Sequence, residues 1–443
     1  MSSALGHPPT TGGGKDYAAD LIATLGPPRW PHKVGVIGLA LCAAWGFACY
    51  LYQLKNGLAV TAMNNYFSWG VYIINFVFFI GISMAGTLIS AMLRLTGAEW
   101  RRPITRMAEG ITLFALMVAG PMVIIDMGRP DRFLHVFLYG RVQSPILWDV
   151  MSLTTYMAGS MLYLYLPLIP DLAILRDQGS HFSWWRQRLY RVLALGWKGT
   201  PAQHKALERA ISVMAVAIIP VAISIHTVTA WIFGMTLRPG WHSSIIGPDF
   251  VVGALYSGIA AVIVAMACFR TFFRLGAYIT PVHFRNLGLL LLVAGIAYLY
   301  FTVNNFVGSS YVTQAEENEL LSSIFGGKYS VQFWTMISVG MIIPCLLLAL
   351  PFTRTIPGIV TASILVNIGM WVMRYVIVVP TLSAPFLPLA KEMSYFPTLV
   401  EWSITLGGFA AFGLFYILFS KVFPIISIWE LRPEEAGHSR NAE

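Results

Sequence analysis

The feature that most constrains this chain is a series of ten long apolar runs, each able to cross a bilayer. They lie near residues 34–54, 66–94, 104–126, 146–171, 209–236, 249–274, 284–307, 331–352, 355–380 and 401–421. About 20 mainly apolar residues are needed to span the hydrocarbon core as a helix. Lipid offers the backbone no hydrogen-bond partner, so only helices and closed barrels cross it. Runs of this length, without ten-residue alternation, are helical. Hydrophobic residues make up 57% of the chain and charged residues 11%, against roughly 25% charged in soluble domains. The expected fold is an all-α polytopic membrane protein of about ten transmembrane helices. Two four-helix bundles, spans two to five and six to nine, stand beside peripheral first and last spans.

Divided along the chain, 1–33 is a polar tail and 34–65 the first span with its outer loop. Residues 66–236 form the first bundle and 237–380 the second. The last span occupies 381–421 and a charged tail 422–443, expected to be disordered from Leu431 on. The first 33 residues lack the basic start, short apolar core and small-residue cleavage site of a signal peptide, so the first run is read as a retained span.

The net charge of +9 does not indicate nucleic acid, because the basic residues are spread over short loops. Fifteen of them, from Arg94 to Arg354, fall on one side and seven on the other. The positive-inside rule then puts both termini in the cytoplasm. Cys42, Cys49, Cys268 and Cys345 lie in apolar runs without a CxxC pair. That spacing argues against zinc, iron–sulfur and disulfide frameworks.

Ionisable residues at membrane depth are costly and are functional candidates by default. Here they are Glu109, Asp126, Asp149, His226, Asp249, Arg374 and Glu401. The topology gathers Asp126, Arg129, Asp131, Arg132, His135, Asp149, His242 and Asp249 into one outer layer. Capping and loop salt bridges are the bland account, since Asp149 and Asp249 sit near helix starts and Arg129 is beside Asp131. The functional account favours a carboxylate–histidine layer that takes protons from a lipid-soluble redox head group. Asp126, Asp149 and His135 would be catalytic, and Arg129, Trp148, Asp249 and His242 would hold the head group. Tyr156 is a second aromatic that could flank it. Glu109, His226 and Arg374 would form a proton path. Glu109 could equally pair with Arg106 one turn earlier, His226 could be a core histidine, and Arg374 could snorkel. His226 is the only histidine deep in a span, whereas haem held across a bundle needs paired axial ligands. No haem, iron–sulfur cluster or metal is expected in this chain.

Several segments resemble the NrfD/PsrC membrane subunits, over roughly residues 60–380. They are Ser68–Ser90 around Phe79-Ile-Gly-Ile82, Asp126-Met-Gly-Arg-Pro130, Ser144-Pro-Ile-Leu-Trp-Asp-Val150 and Leu166-Pro-Leu-Ile-Pro-Asp171. Within that family the chain is most similar to the quinol-binding ActC subunit of alternative complex III, through Leu195–Gly199, Ser224–Val228, Pro239–His242 and Asn367–Trp371. It carries Met84 where such subunits usually have His, and Met373 where they often have Glu. The resemblance implies a menaquinone or ubiquinone site at the outer end of the first bundle, with Asp126 and Asp149 at the family's quinone-site positions. It implies an extracytoplasmic ferredoxin-like iron–sulfur partner, a molybdopterin-type subunit and/or multihaem cytochrome c, and room for a second NrfD-like membrane subunit. The setting would be a bacterial inner membrane. A secondary transporter and a structural anchor are the rival readings.

Overall fold

The computed structural model describes residues 17–26, 30–178, 182–236, 238–241, 243–311, 314–384 and 394–431. Residues 1–16 of the N-terminal tail, His242 and the tail from 432 lie outside the described residues. Among those described, every regular element is helical. The chain starts with α1 (Tyr17–Ala23), α2 (Trp30–Asn56), α3 (Val71–Leu95), α4 (Thr105–Asp126) and the short α5 (His135–Leu138). There follow α6 (Pro145–Tyr165), α7 (Leu168–Gln178), α8 (Trp184–Leu193), α9 (Pro201–Gly234) and α10 (Ile246–Phe272). The last part comprises α11 (Pro281–Tyr311), α12 (Ala315–Phe325), α13 (Ser330–Ile337), α14 (Ile343–Ala349), α15 (Ile356–Ser383) and α16 (Leu399–Val422).

Nine helices among the described residues are long and apolar enough to cross a membrane, counting α13–α14 as one. Together α6 and α7, bent by 45° to each other, are long and apolar enough for a tenth. The bend falls at Pro167, whose ring cannot continue the helical hydrogen bonding. Between α13 and α14 the chain makes a π turn, Ser338–Ile342, just before Pro344. The expected all-α polytopic membrane fold is therefore present. One group packs α3, α4, α6 and α9, and another packs α10, α11, α13–α14 and α15. The two meet where α3 and α9 touch α10 and where α3 touches α15. Outside them α2 and α16 pair with each other, and α16 leans on α3 and α4.

Helix α3 is the hub, and its sequence explains how. Nearly every described side chain from Val71 to Ala91 is buried, so an apolar surface all round is required. Small residues let neighbours come close, as in other membrane helix pairs. A Cβ at Gly86 would sit 1.9 Å from the Ala108 carbonyl oxygen of α4. Farther out, a Cβ at Gly46 of α2 would lie 2.7 Å from Gly407 Cα of α16.

The acidic stretch Glu316, Glu317 and Glu319 lies in helix α12. Its Glu317 is buried and accepts the Gly240 N–H at 3.0 Å, pinning the turn before α10.

Candidate functional site

One end of the helices, called outer here, gathers three buried carboxylates. Asp126 closes α4 and is 8% exposed. Its carboxyl faces the Gly70 backbone at the start of α3 and lies within electrostatic reach of Glu401, and its Oδ1 has no hydrogen-bond partner. The chain turns sharply after it at Gly128, whose φ is +66°. A Cβ there would also lie 2.7 Å from the Leu58 side chain. This is the physical reason for glycine in the Asp-Met-Gly-Arg-Pro stretch.

Asp149 lies one turn into α6, which starts on Ser144 and Pro145. It accepts a hydrogen bond from Thr229 Oγ1 of α9 at 2.6 Å, and both residues are buried. Asp249 sits in the first turn of α10 with an unpartnered Oδ1. Near it is Arg374 of α15, 2% exposed, whose Nε and Nη1 have no partners. No ion pair within 4 Å joins Arg374 to any acid among the described residues. Its guanidinium carbon lies 5.0 Å from the Phe250 ring centroid, a cation–π contact. The bland snorkelling account thus does not describe Arg374.

Aromatic rings join these groups. Trp69 stacks on Trp241 at 5.6 Å, and Phe233 meets both, at 5.5 and 5.1 Å. Phe250 lies 5.8 Å from Phe233. Three of the four rings lie close in sequence to a carboxylate or to its partner. Trp69 precedes Gly70, Phe233 lies one turn beyond Thr229, and Phe250 follows Asp249. The Trp241 indole N–H donates to the Ile377 carbonyl at 2.7 Å, fixing the cluster against α15. Sequence reasoning missed Trp69, Thr229, Phe233 and Phe250 as site residues. Trp241 had a signal in the Pro-Gly-Trp-His stretch, and Trp69 lies in the Ser68–Ser90 segment.

Other expected residues stand apart from this cluster. Arg129 and His135 are exposed. The Arg129 guanidinium makes a two-pronged contact with Asp131 at 3.0 and 2.9 Å, which holds the Asp131 carboxyl below its usual range. The His135 ring packs edge-on against Tyr139. Trp148 donates its indole N–H to the Val142 carbonyl and meets Trp231 edge-on. Glu401 is fully satisfied, accepting from Tyr395 Oη at 2.6 Å and from the amides of Ala62 and Thr398. It closes a capping box on α16, a structural role.

A cavity of about 370 Å³ opens between the end of α9 and the start of α10, lined by Thr227, Trp231, Gly234, Ile246 and Gly247 among others. Small-molecule sites span about 300–1,000 Å³. No carboxylate lines it, but its walls include the sequence neighbours of Phe233 and Asp249.

A line of polar side chains runs down α3 from mid-membrane to the inner end. The His226 ring places Nε2 3.1 Å from the Ile80 carbonyl and Nδ1 2.7 Å from the Ala222 carbonyl. A neutral imidazole has one N–H, so it donates to only one of the two at a time. Below it, Tyr156 Oη donates to the Ser83 carbonyl at 3.0 Å and contacts Thr87 Oγ1 at 3.1 Å. Thr112 Oγ1 also donates to the Ser83 carbonyl, at 2.7 Å, and contacts Thr87. At the inner end Ser90 Oγ donates to Glu109 Oε1 at 2.7 Å and contacts Tyr163. Tyr156, expected beside the head group, is thus a member of this line. Arg106 does not pair with Glu109. It pairs with Asp171 at 2.5 Å and donates to the Pro167 and Pro424 carbonyls, while Asp171 accepts the amides of Ile428 and Trp429.

Among the described residues no cluster of His, Cys, Asp and Glu could hold a metal ion. A redox ring carried in lipid needs flat apolar surface and polar groups for its two oxygens. The aromatic cluster and the unpartnered atoms of Asp126, Asp249 and Arg374 are groups of these two kinds at one end of the helices.

The family model described as polysulphide reductase, NrfD, matches residues 59–385. A Halobacterium salinarum protein, provisionally named as the membrane subunit of a dimethyl sulfoxide reductase, is 31% identical over 338 residues, 75% of this chain and 73% of its own length. A selenate reductase subunit from Mesobacillus selenatarsenatis is 26% identical, covering 89% of this chain and 94% of its own. The Hdr-like menaquinol oxidoreductase integral membrane subunit of Archaeoglobus fulgidus is 22% identical, covering 88% and 93%.

Proposed function

The chain belongs to the polysulphide reductase, NrfD family, and from that premise we propose that it is the quinone-reactive membrane subunit of a respiratory oxidoreductase. Its relatives are subunits of oxidoreductases, one of them a menaquinol oxidoreductase. The observation that carries the proposal is the outer end of the helices, where three buried carboxylates and a buried arginine lie on or beside the segments that carry a cluster of packed aromatic rings.

The substrate is a menaquinol or ubiquinol that enters from lipid, with the crevice between α9 and α10 as its door. Oxidising a quinol to a quinone releases two electrons and two protons. Asp126, Asp149 and Asp249 accept the protons, with Thr229 fixing the Asp149 carboxyl. Arg374 supplies positive charge to the quinol oxygens as they lose protons, an electrostatic role suited to a dry site. The electrons leave to an extracytoplasmic ferredoxin-like iron–sulfur subunit, which delivers them to a molybdopterin-type subunit or a multihaem cytochrome c. In a reductase the flow reverses. Arg129 and His135, exposed on the outer rim, belong on the face that meets that partner. The protein resides in a bacterial inner membrane with both termini cytoplasmic.

Proton translocation is the second part of the proposal. The groups from Glu109 of α4 through Ser90 and Thr87 of α3 and Tyr156 of α6 to His226 of α9 set hydroxyls and a histidine alongside α3 at membrane depth, where polar groups mark proton relays. The likeness to alternative complex III and the relatives named for dimethyl sulfoxide and selenate reduction both fit a quinone-linked subunit. A transporter or a passive anchor would leave the ring of carboxylates and aromatics without a task.

The test is turnover of the purified complex. It should carry bound quinone, and Asp126→Asn should lower quinol turnover at least tenfold while the complex still assembles, less than a full general-base contribution of about 10²–10⁴ because the acids share the protons. Unchanged turnover would refute the assignment of Asp126.

A further inference from the structure

At the inner end of α9 lies a groove outside the machinery described above. Its volume is about 720 Å³, and it runs between α6 and α9. Leu162 and Leu166 on the α6 side and Ala206, Ala210 and Val213 on the α9 side are among its apolar lining. Only Lys205 and Arg209 of its lining are charged. They are one turn apart on α9 and both exposed. No acid lies within 4 Å of either among the described residues, although Glu208 is close in sequence and exposed.

Helix length fixes the depth of this pair. The 34 residues of α9 span about 51 Å at about 1.5 Å each, well beyond a hydrocarbon core of about 30 Å. The part free of Lys, Arg, Asp and Glu starts at Ala210 and runs to Gly234. Lys205 and Arg209 therefore stand at the level of the lipid head groups, with the groove descending from them into hydrocarbon. Helix α8 marks the same plane independently. It is amphipathic, exposing Trp184 and Trp185 beside Arg188 and Arg191, the pattern of a helix lying in the interface. Its last residue, Leu193, accepts a hydrogen bond from Tyr165 at the inner end of α6, at 2.6 Å.

We propose that this groove is a binding site for an anionic diacyl phospholipid, its phosphate held by Lys205 and Arg209 and one acyl chain lying against Leu162, Leu166, Ala206 and Ala210. Two unpaired cations at the mouth of an apolar trough complement an anionic head joined to an apolar tail. A polypeptide helix seated there would leave both cations without a counter-ion unless it brought an acid.

The experiment titrates fluorescent phosphatidylglycerol, with phosphatidylcholine as the neutral control, against the intact complex in detergent. At about fivefold in affinity per cation near the membrane surface, Lys205→Gln with Arg209→Gln should raise the apparent Kd about 25-fold. The charge-keeping swap Lys205→Arg with Arg209→Lys should bind as the wild type does. Val213→Trp, which fills the trough and keeps the charges, should also weaken binding. The proposal is overturned if the double glutamine variant binds phosphatidylglycerol within twofold of wild type, or if phosphatidylcholine binds as tightly. Cross-linking from Ala206→Cys to another polypeptide rather than to lipid would also overturn it.

Discussion

Replacing Thr229 by Val tests the outer site at a residue whose only visible task is to serve another. Valine keeps the shape of threonine and removes one hydroxyl. In the wild type that hydroxyl donates to Asp149 Oδ1 at 2.6 Å, with Thr229 1% and Asp149 5% exposed. A hydrogen bond to a charged group contributes about 1.5–3 kcal/mol. If the bond holds Asp149 in its working position and charge state, its loss should lower kcat/KM for quinol by about 10- to 150-fold, at about 1.36 kcal/mol per tenfold. The assay is quinol oxidation by the purified complex, normalised to the amount of assembled complex. Thr229→Ser should restore most of the rate, because serine supplies the same donor. A Val variant within twofold of wild type, beside an Asp149→Asn variant that has lost activity, would refute the positioning role. So would a Ser variant as slow as the Val one.

Further outcomes concern the frame around the site. Asp171→Asn leaves the Arg106 guanidinium buried without its anion and should destabilise the chain by about 3–5 kcal/mol, measured by equilibrium unfolding in mixed micelles. The same change joined to Arg106→Met should cost less than Asp171→Asn alone. Gly340→Val forces a side chain into α15, where even a Cβ would lie 2.9 Å from Gly369 Cα. It should cost about 1–3 kcal/mol by overpacking and lower the yield of folded protein in size-exclusion chromatography.

The pairing of Arg106 shows where sequence stops being informative. Glu109 is the acid nearest Arg106 along the same helix face, yet the ion pair goes to Asp171, 65 residues away. The break at Pro167 turns α7 back by 45°. Its Asp171 then meets Arg106, and the returning segment before Trp429 supplies two amides. Glu109 is left to Ser90. The segment Leu166-Pro-Leu-Ile-Pro-Asp171 was visible as a motif, but nothing in it names a partner. Similarly, Asp126, Asp149 and Asp249 were legible as one outer layer from the direction of each span. Their surroundings were not. Thr229 and Phe233 look like ordinary residues of an apolar run, and Trp69 like an interfacial anchor.

The sequence alone determined that this chain crosses the bilayer as about ten helices, and which ionisable residues lie at membrane depth. Both follow from local physics. A helix satisfies its own backbone from residue i to i−4, and an apolar run of known length has a known thickness. Tertiary structure alone decided which side chains face each other, separating Arg129, taken by Asp131, from Arg374, buried beside Asp249 and Phe250. That choice depends on the rotation and approach of helices distant in sequence, set by contacts such as Gly86 against Ala108 and Gly340 against Gly369. Periodicity along one helix carries no record of its neighbour.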